Sequence, residues 1–97
     1  MRPIYLVRLD DWRPAIVLTR EAVQPEMSKL TIAPGTFPAK GLSSEDPVGP
    51  ENGLEAAGAI AVDNTLTIPA DRIGRAIGHL TAEQEAQLAR AVVLAFD

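Results

Sequence analysis

The sequence predicts a mainly β fold: a small antiparallel barrel of roughly five to seven short strands, closed by one C-terminal α-helix. Three observations carry this. The chain has 97 residues, which fits a single domain over residues 1–97. Short runs of β-forming residues, broken by proline, glycine and polar turns, follow one another up to residue 79. Only the stretch 81–96 has helical spacing.

Taken in order, residues 4–9 (Ile-Tyr-Leu-Val-Arg-Leu) read as a first strand. Asp10, Asp11 and Trp12 form a short connection. Residues 15–19 are a continuous apolar run too short for a helix, so a buried strand is expected. Pro25 makes 20–27 a loop or one helical turn. Residues 28–33 alternate, with Leu30 and Ile32 on one face. In Pro34-Gly35-Thr36-Phe37-Pro38 the prolines lack donors, so the ladder should stop there. Four prolines and glycines (Pro47, Gly49, Pro50, Gly53) leave room for only a brief strand in 43–54. Strands are expected at 58–63 and 65–68 around Asp63-Asn64, then a turn at 69–71 and a last strand at 74–79.

The helix has a start signal. Thr81 is a good N-cap and Gln84 stands three residues on, the pattern of a capping box. Glu83 and Glu85 lie where the positive end of the dipole favours them. Leu88, Val92 and Phe96 recur at intervals of four, with Ala89, Val93 and Ala95 beside them, giving an apolar stripe about four turns long.

Composition narrows the chemistry. There is no cysteine, which excludes disulfides, Cys-ligated zinc and thiol catalysis. With one histidine, a zinc site would need three carboxylates, and no metal or other cofactor is expected. No apolar run is long enough for a signal peptide or a membrane span, so a cytoplasmic protein with no membrane partner is expected. The net charge of −4 is unevenly spread: residues 1–42 hold six Lys/Arg against four Asp/Glu, and residues 43–97 hold three against nine. An anion-binding site therefore belongs to the first half.

The usual catalytic sets are missing. A histidine pair is impossible, and His79 reads as structural. Asp10 and Asp11 are adjacent on a strand end, so their carboxylates point to opposite faces. Arg13 and Thr36 remain. Pro14 biases Arg13 toward an extended backbone, and a guanidinium on a rigid strand entrance is a good phosphate anchor. The Thr36 hydroxyl can donate to a second phosphate oxygen. Spacing alone favours a surface ion pair for Arg13 and a turn role for Thr36. Trp12 and Phe37 flank the two; each can stack on an unpaired base or pack beneath its loop. Asp63 and Asn64 can read base edges, form a turn or make a dimer contact.

Read as an ordered set, these segments resemble the MazF/PemK toxin family. The matching pieces are Tyr5-Leu6-Val7-Arg8-Leu9, then Arg13-Pro14 opening a hydrophobic strand that ends at Thr19. Next come Leu30 to Ala33 with Pro34-Gly35-Thr36, Asn52-Gly53-Leu54, Asp63-Asn64, Thr65 to Ile68, Asp71 to Arg75, and Gly78-His79-Leu80-Thr81. The chain looks especially like the short mycobacterial members that begin Met-Arg-Pro-Ile. The resemblance covers nearly the whole chain.

It implies an SH3-like, CcdB-like barrel. It also implies a toxin of a type II toxin–antitoxin system: a metal-independent, sequence-specific endoribonuclease acting on single-stranded RNA. The expected partners are a MazE-like antitoxin and a second copy of the chain in a homodimer. Arg13 and Thr36 correspond to the family's catalytic pair, and Trp12, Phe37, Lys40, Asp63 and Asn64 to candidate RNA contacts. Gly35 stands in place of a bulkier residue, which is expected to loosen Thr36. Two rival classes are a non-enzymatic CcdB-like poison, which lacks the Arg-Pro and Pro-x-Thr pair, and an SH3-like peptide module. The latter needs an aromatic groove, and the four aromatic residues here are scattered.

Overall fold

A computed structural model describes the backbone of residues 2–19 and 21–96, and the side chains of all of these except 21–23 and 96. Among the described residues, seven strands and one α-helix follow in order: β1 (Pro3–Arg8), β2 (Trp12–Val17), β3 (Lys29–Thr36), β4 (Glu45–Val48), β5 (Gly58–Ala61), β6 (Leu66–Pro69), β7 (Ile73–His79) and α1 (Ala82–Phe96). Every ladder is antiparallel. The strand order is β4-β5-β3-β2-β1-β7, with β6 also on β3. The mainly β expectation with a single C-terminal helix holds.

The alternation along β2 explains the layering. Ala15 and Val17 point to one face and Ile16 to the other. On the first face, Val7, Ala15, Val17, Leu30, Ile32 and Ile68 form a buried cluster with Tyr5 and Ile73 against it. It is enclosed because β6 pairs β3, β7 pairs β1, and the short turn Ala70–Arg72 joins β6 to β7. On the second face, Ile4, Ile16, Ala33, Val48, Ile60, Val62 and Leu80 pack under Leu88 and Ala91 of α1. The central sheet is thus buried on both sides.

β3 is longer than its sequence suggested. It runs through Pro34 and Gly35 to Thr36, pairing Ala15 with Pro34, Gly35 with Ile60 and Thr36 with Ala59. The reason lies in which edge lacks the donor. Thr31 turns its backbone groups toward β2, accepting from Leu18 N–H at 2.8 Å. By alternation, Pro34 turns toward the opposite edge. There the β6 ladder has ended at Ile32 and the β5 ladder begins at Gly35. The missing N–H therefore falls in the gap between two partner strands. Pro47 is tolerated for a related reason, since β4 is an edge strand.

The helix begins as its sequence indicates. Thr81 Oγ1 accepts from Gln84 N–H at 3.2 Å, and Gln84 Oε1 accepts from Thr81 N–H at 2.8 Å. Gln84 also forms a reciprocal amide pair with buried Asn52. Asn52 in turn accepts from Gly49 N–H at 3.0 Å and donates to the His79 carbonyl at 2.8 Å. Of the expected stripe, Leu88 is buried and Val92 is partly so; the Phe96 side chain lies outside the described residues. Ala91 is the second fully buried contact, while Ala89, Val93 and Leu94 are exposed.

Asp46 is the anomaly of the helix-side core. It is 0% exposed, and neither carboxyl oxygen has a hydrogen-bond partner. Burial first, and then the nearby negative charge of Glu85, push its pKa up to about 7, with Arg90 opposing. A raised native pKa means the folded state holds this proton more tightly than the unfolded chain. The associated stability is complete below about pH 4 and is lost as pH rises toward 7. Asp46→Asn is therefore expected to match the parent near pH 4. At pH 8 it should be more stable, by at most about 4 kcal/mol. Urea unfolding at the two pH values checks this, and equal differences at both would contradict it.

Candidate active site

The β2–β3 register brings the two candidate residues together. Ala15 faces Pro34, Ile16 faces Ala33 and Val17 faces Ile32. Continued two residues toward the open end, the same register sets Arg13 opposite Thr36. The strands stay close there, since a Cβ on Gly35 would stand 3.1 Å from the Pro14 carbonyl oxygen. Directly opposed side chains on one face lie about 4.5–5.5 Å apart at Cβ. Arg13 also pairs with Val7 of β1, and Thr36 with Ala59 of β5. The continued register thus places Arg13 and Thr36 in one row of strand positions, between the fully buried Val7 and Ala59.

Arg13 is exposed and Thr36 half-buried. Among the described residues no carboxylate pairs with Arg13; the one ion pair found joins Arg2 to Glu85 at 3.4 Å. Among the described residues, the surface ion pair that spacing favoured is not formed. The Arg13 charge remains available to an anion arriving from solvent.

Trp12 and Phe37 are the chain neighbours of this pair, and they point to the other face of the same rim. Both line one pocket of about 580 Å³, together with Leu6, Pro14, Leu54, Ile77, Arg75 and Glu55. They remain 52% and 38% exposed. Each ring lies on glycine. A Cβ on Gly74 would come within 2.8 Å of the Trp12 ring, and one on Gly35 within 2.6 Å of the Phe37 ring, which also covers Gly58. This packing bears on the expectation that Gly35 loosens Thr36. The missing side chain is the space that Phe37 fills, and the ring packs over the backbone beside Thr36.

The remaining candidates are placed differently. Lys40 sits in the loop after Phe37-Pro38 with its side chain exposed. Its backbone is held by the buried Glu45 carboxylate, which accepts N–H bonds from Lys40 at 3.1 Å, Gly41 at 2.8 Å and Leu42 at 3.1 Å. Asp63 and Asn64 occupy a 3-10 turn beyond the far end of β5. Ala59 is the residue opposite Thr36, so Asp63 lies four residues, roughly 13 Å, further along the chain. The structure does not bring them to the pair. His79 stands opposite Pro3, at the other end of β1 from Val7.

Arg75 was missed as a site residue. The sequence placed it in the expected last strand, 74–79, without a site role; in the structure it lies within β7 and lines the pocket. The available signal was Gly74: an isolated glycine in a strand pattern marks a bulge or a close approach. Here it marks both.

Comparison with known proteins adds an independent line. Residues 3–96 match the family model described as PemK-like, MazF-like toxin of type II toxin-antitoxin system. Endoribonuclease MazF3 of Mycobacterium tuberculosis is 47% identical over 97 residues, covering 100% of this chain and 94% of the relative. The solved structure of Mycobacterium tuberculosis toxin MazF-mt6 superposes with a TM-score of 0.94 at 47% identity, covering 99% of this chain and 97% of that one. A mycobacterial endoribonuclease solved in complex with its cognate antitoxin shares the fold at 19% identity, with a TM-score of 0.84 over 96% of this chain and 89% of that one.

The glycine contacts allow a stability test. A methyl on Gly35 meets mainly the edge of the Phe37 ring, which can swing, whereas one on Gly58 also meets the Thr36 backbone carbonyl. Gly58→Ala is expected to destabilise by about 1–3 kcal/mol and Gly35→Ala by less. Denaturant unfolding of both variants checks the order, and the reverse order would refute the packing described.

Proposed function

Because the chain belongs to the PemK-like, MazF-like toxins of type II toxin–antitoxin systems, we propose that it cleaves single-stranded RNA sequence-specifically and without a metal, with Arg13 and Thr36 as its catalytic pair. The observation that supports this reading is the β2–β3 register, which, continued two residues past its last ladder pair, sets Arg13 opposite Thr36, while no carboxylate among the described residues neutralises the guanidinium.

The chemistry follows from what two such groups can do. The ribose 2′-hydroxyl attacks the adjacent phosphorus, losing its proton as the new P–O bond forms. The bond to the 5′-oxygen breaks and that oxygen gains a proton. The products are a 2′,3′-cyclic phosphate and a 5′-hydroxyl end. The phosphorane-like transition state carries more negative charge on its non-bridging oxygens than the starting diester does. A guanidinium aimed at them therefore acts on rate more than on binding. Thr36 Oγ1 donates to a non-bridging oxygen and helps hold the attacking and leaving oxygens in line. The requirement for a 2′-hydroxyl restricts the reaction to RNA.

The chain acts as a homodimer in the cytoplasm and is neutralised by a MazE-like antitoxin. An acidic segment of that antitoxin covers Arg13 and offers carboxylates in place of phosphates. The excess of basic over acidic residues in the first half of the chain supports this direction of attraction.

Arg13→Ala is expected to lower RNA cleavage about a hundred- to thousandfold. Thr36→Ala should lower it less, since a neutral donor contributes roughly half as much as a charged one. His79→Ala and added EDTA should leave the rate unchanged. End-mapping of a single-stranded RNA digest reads all four, and an Arg13→Ala variant as active as the parent would reject the assignment. For the partner, stoichiometric antitoxin should abolish cleavage and displace bound single-stranded RNA. A complex that still cleaves at the parent rate rules out the blocking arrangement.

A further inference from the structure

The Trp12–Phe37 pocket contains more than the cleavage reaction needs. Its walls are two partly exposed aromatic rings, its lining is otherwise mostly aliphatic, and its two charged groups are Arg75 and Glu55. We infer that this pocket receives one unstacked nucleobase next to the scissile phosphate and that Arg75 reads its edge, which makes Arg75 a specificity-determining residue. The inference rests on the ribonuclease reading of Arg13 and Thr36 given above.

Three observations converge on it. The first is position. Arg13 and Thr36 lie on one face of the sheet rim, and their chain neighbours Trp12 and Phe37 lie on the other. A strand of RNA that sets a phosphate on the pair therefore crosses the rim beside the pocket.

The second is how Arg75 reaches the pocket. Between Tyr5–Ala76 and Val7–Ile73 the β1–β7 register slips, so three steps on β7 span two on β1. One residue is extra, and the bulge changes which face the following side chains take. Ile73 packs in the barrel core, whereas Ile77 packs in the helix-side core four residues later. Arg75 and Ala76 are consecutive, yet both line the pocket. Bulges re-aim side chains in this way near binding sites.

The third is the chemistry of the lining. Part-exposed aromatic faces suit the π-face of a base. An arginine fork and a carboxylate at the same opening suit a heterocycle edge that carries both ring acceptors and N–H donors. Arg75 has no ion-pair partner among the described residues, Glu55 included, so its donors are free for such an edge.

Trp12 is the only tryptophan, so its emission reports on the pocket directly. The probes are short single-stranded oligodeoxynucleotides, one for each of the four bases, which lack the 2′-hydroxyl and are not cleaved. The intact protein is expected to show saturable quenching of Trp12 that differs among the four. Arg75→Ala should weaken the binding about tenfold and level those differences. Arg75→Lys should recover part of the affinity but not the discrimination, because an ammonium lacks the planar fork. His79→Ala should change neither. In parallel, sequencing of cleavage sites in a mixed RNA pool should show Arg75→Ala relaxing one position next to the cut.

Quenching that is absent, that Arg75→Ala leaves unaltered, or that only antitoxin produces would overturn the inference. Cleavage without quenching removes the base pocket and leaves the ribonuclease reading standing. Quenching without cleavage does the converse.

Discussion

The pairing of β2 with β3 governs the rest of the molecule. Its register sorts Ala15, Val17, Leu30 and Ile32 into the barrel core, and Ile16 and Ala33 into the core beneath the helix. A slip of one residue on either strand would invert every assignment on that strand. Both faces are buried, so such a slip has no low-energy alternative. The same register, carried two residues past its last ladder pair, sets Arg13 beside Thr36. The packing energy of two hydrophobic clusters is thus what positions a cation and a hydroxyl that contribute little to stability themselves.

The other half of the site depends on backbone approach. Trp12 and Phe37 can lie flat because Gly74, Gly35 and Gly58 have no side chains in their way. Across the pocket, the chain that carries Leu54, Glu55 and Ala56 leaves the turn Pro50–Asn52. That turn is tied through Asn52 to Gln84 at the start of α1 and to the His79 carbonyl at the end of β7. Removing either amide would strand the other in a buried setting, where an unmet hydrogen bond costs about 1–3 kcal/mol. Helix start, last strand and pocket wall are therefore fastened at one point, away from the residues that face solvent.

The distribution of charge follows a similar division. The buried acidic groups lie in the framework: Glu45 gathers the N–H groups of the loop after Phe37-Pro38, whereas Asp46, without a hydrogen-bond partner beneath the helix, weakens it as pH rises toward 7. The two arginines proposed to meet RNA, Arg13 and Arg75, are left without carboxylate partners among the described residues. A small acidic protein can in this way present a local positive site while its net charge is −4.

Local patterns in the sequence determined much of this. The strand order along the chain, the capping box of Thr81 and Gln84 and the apolar stripe through Leu88 are short-range features, written in propensity and spacing. Arg13 and Thr36 were also legible, as a rigid strand entrance and a strand end, and the family resemblance linked them. The tertiary structure alone decided matters of pairing between distant segments. It carried β3 through Pro34, because the missing donor falls between two partner strands. It laid Phe37 over Gly35, turned Arg75 into the pocket through a bulge, and left Asp63 and Asn64 at the far end of β5. Apart from the hint of a bulge that Gly74 gives, none of these can be read from neighbours in sequence. Each depends on which edge or face another strand, tens of residues away, happens to occupy.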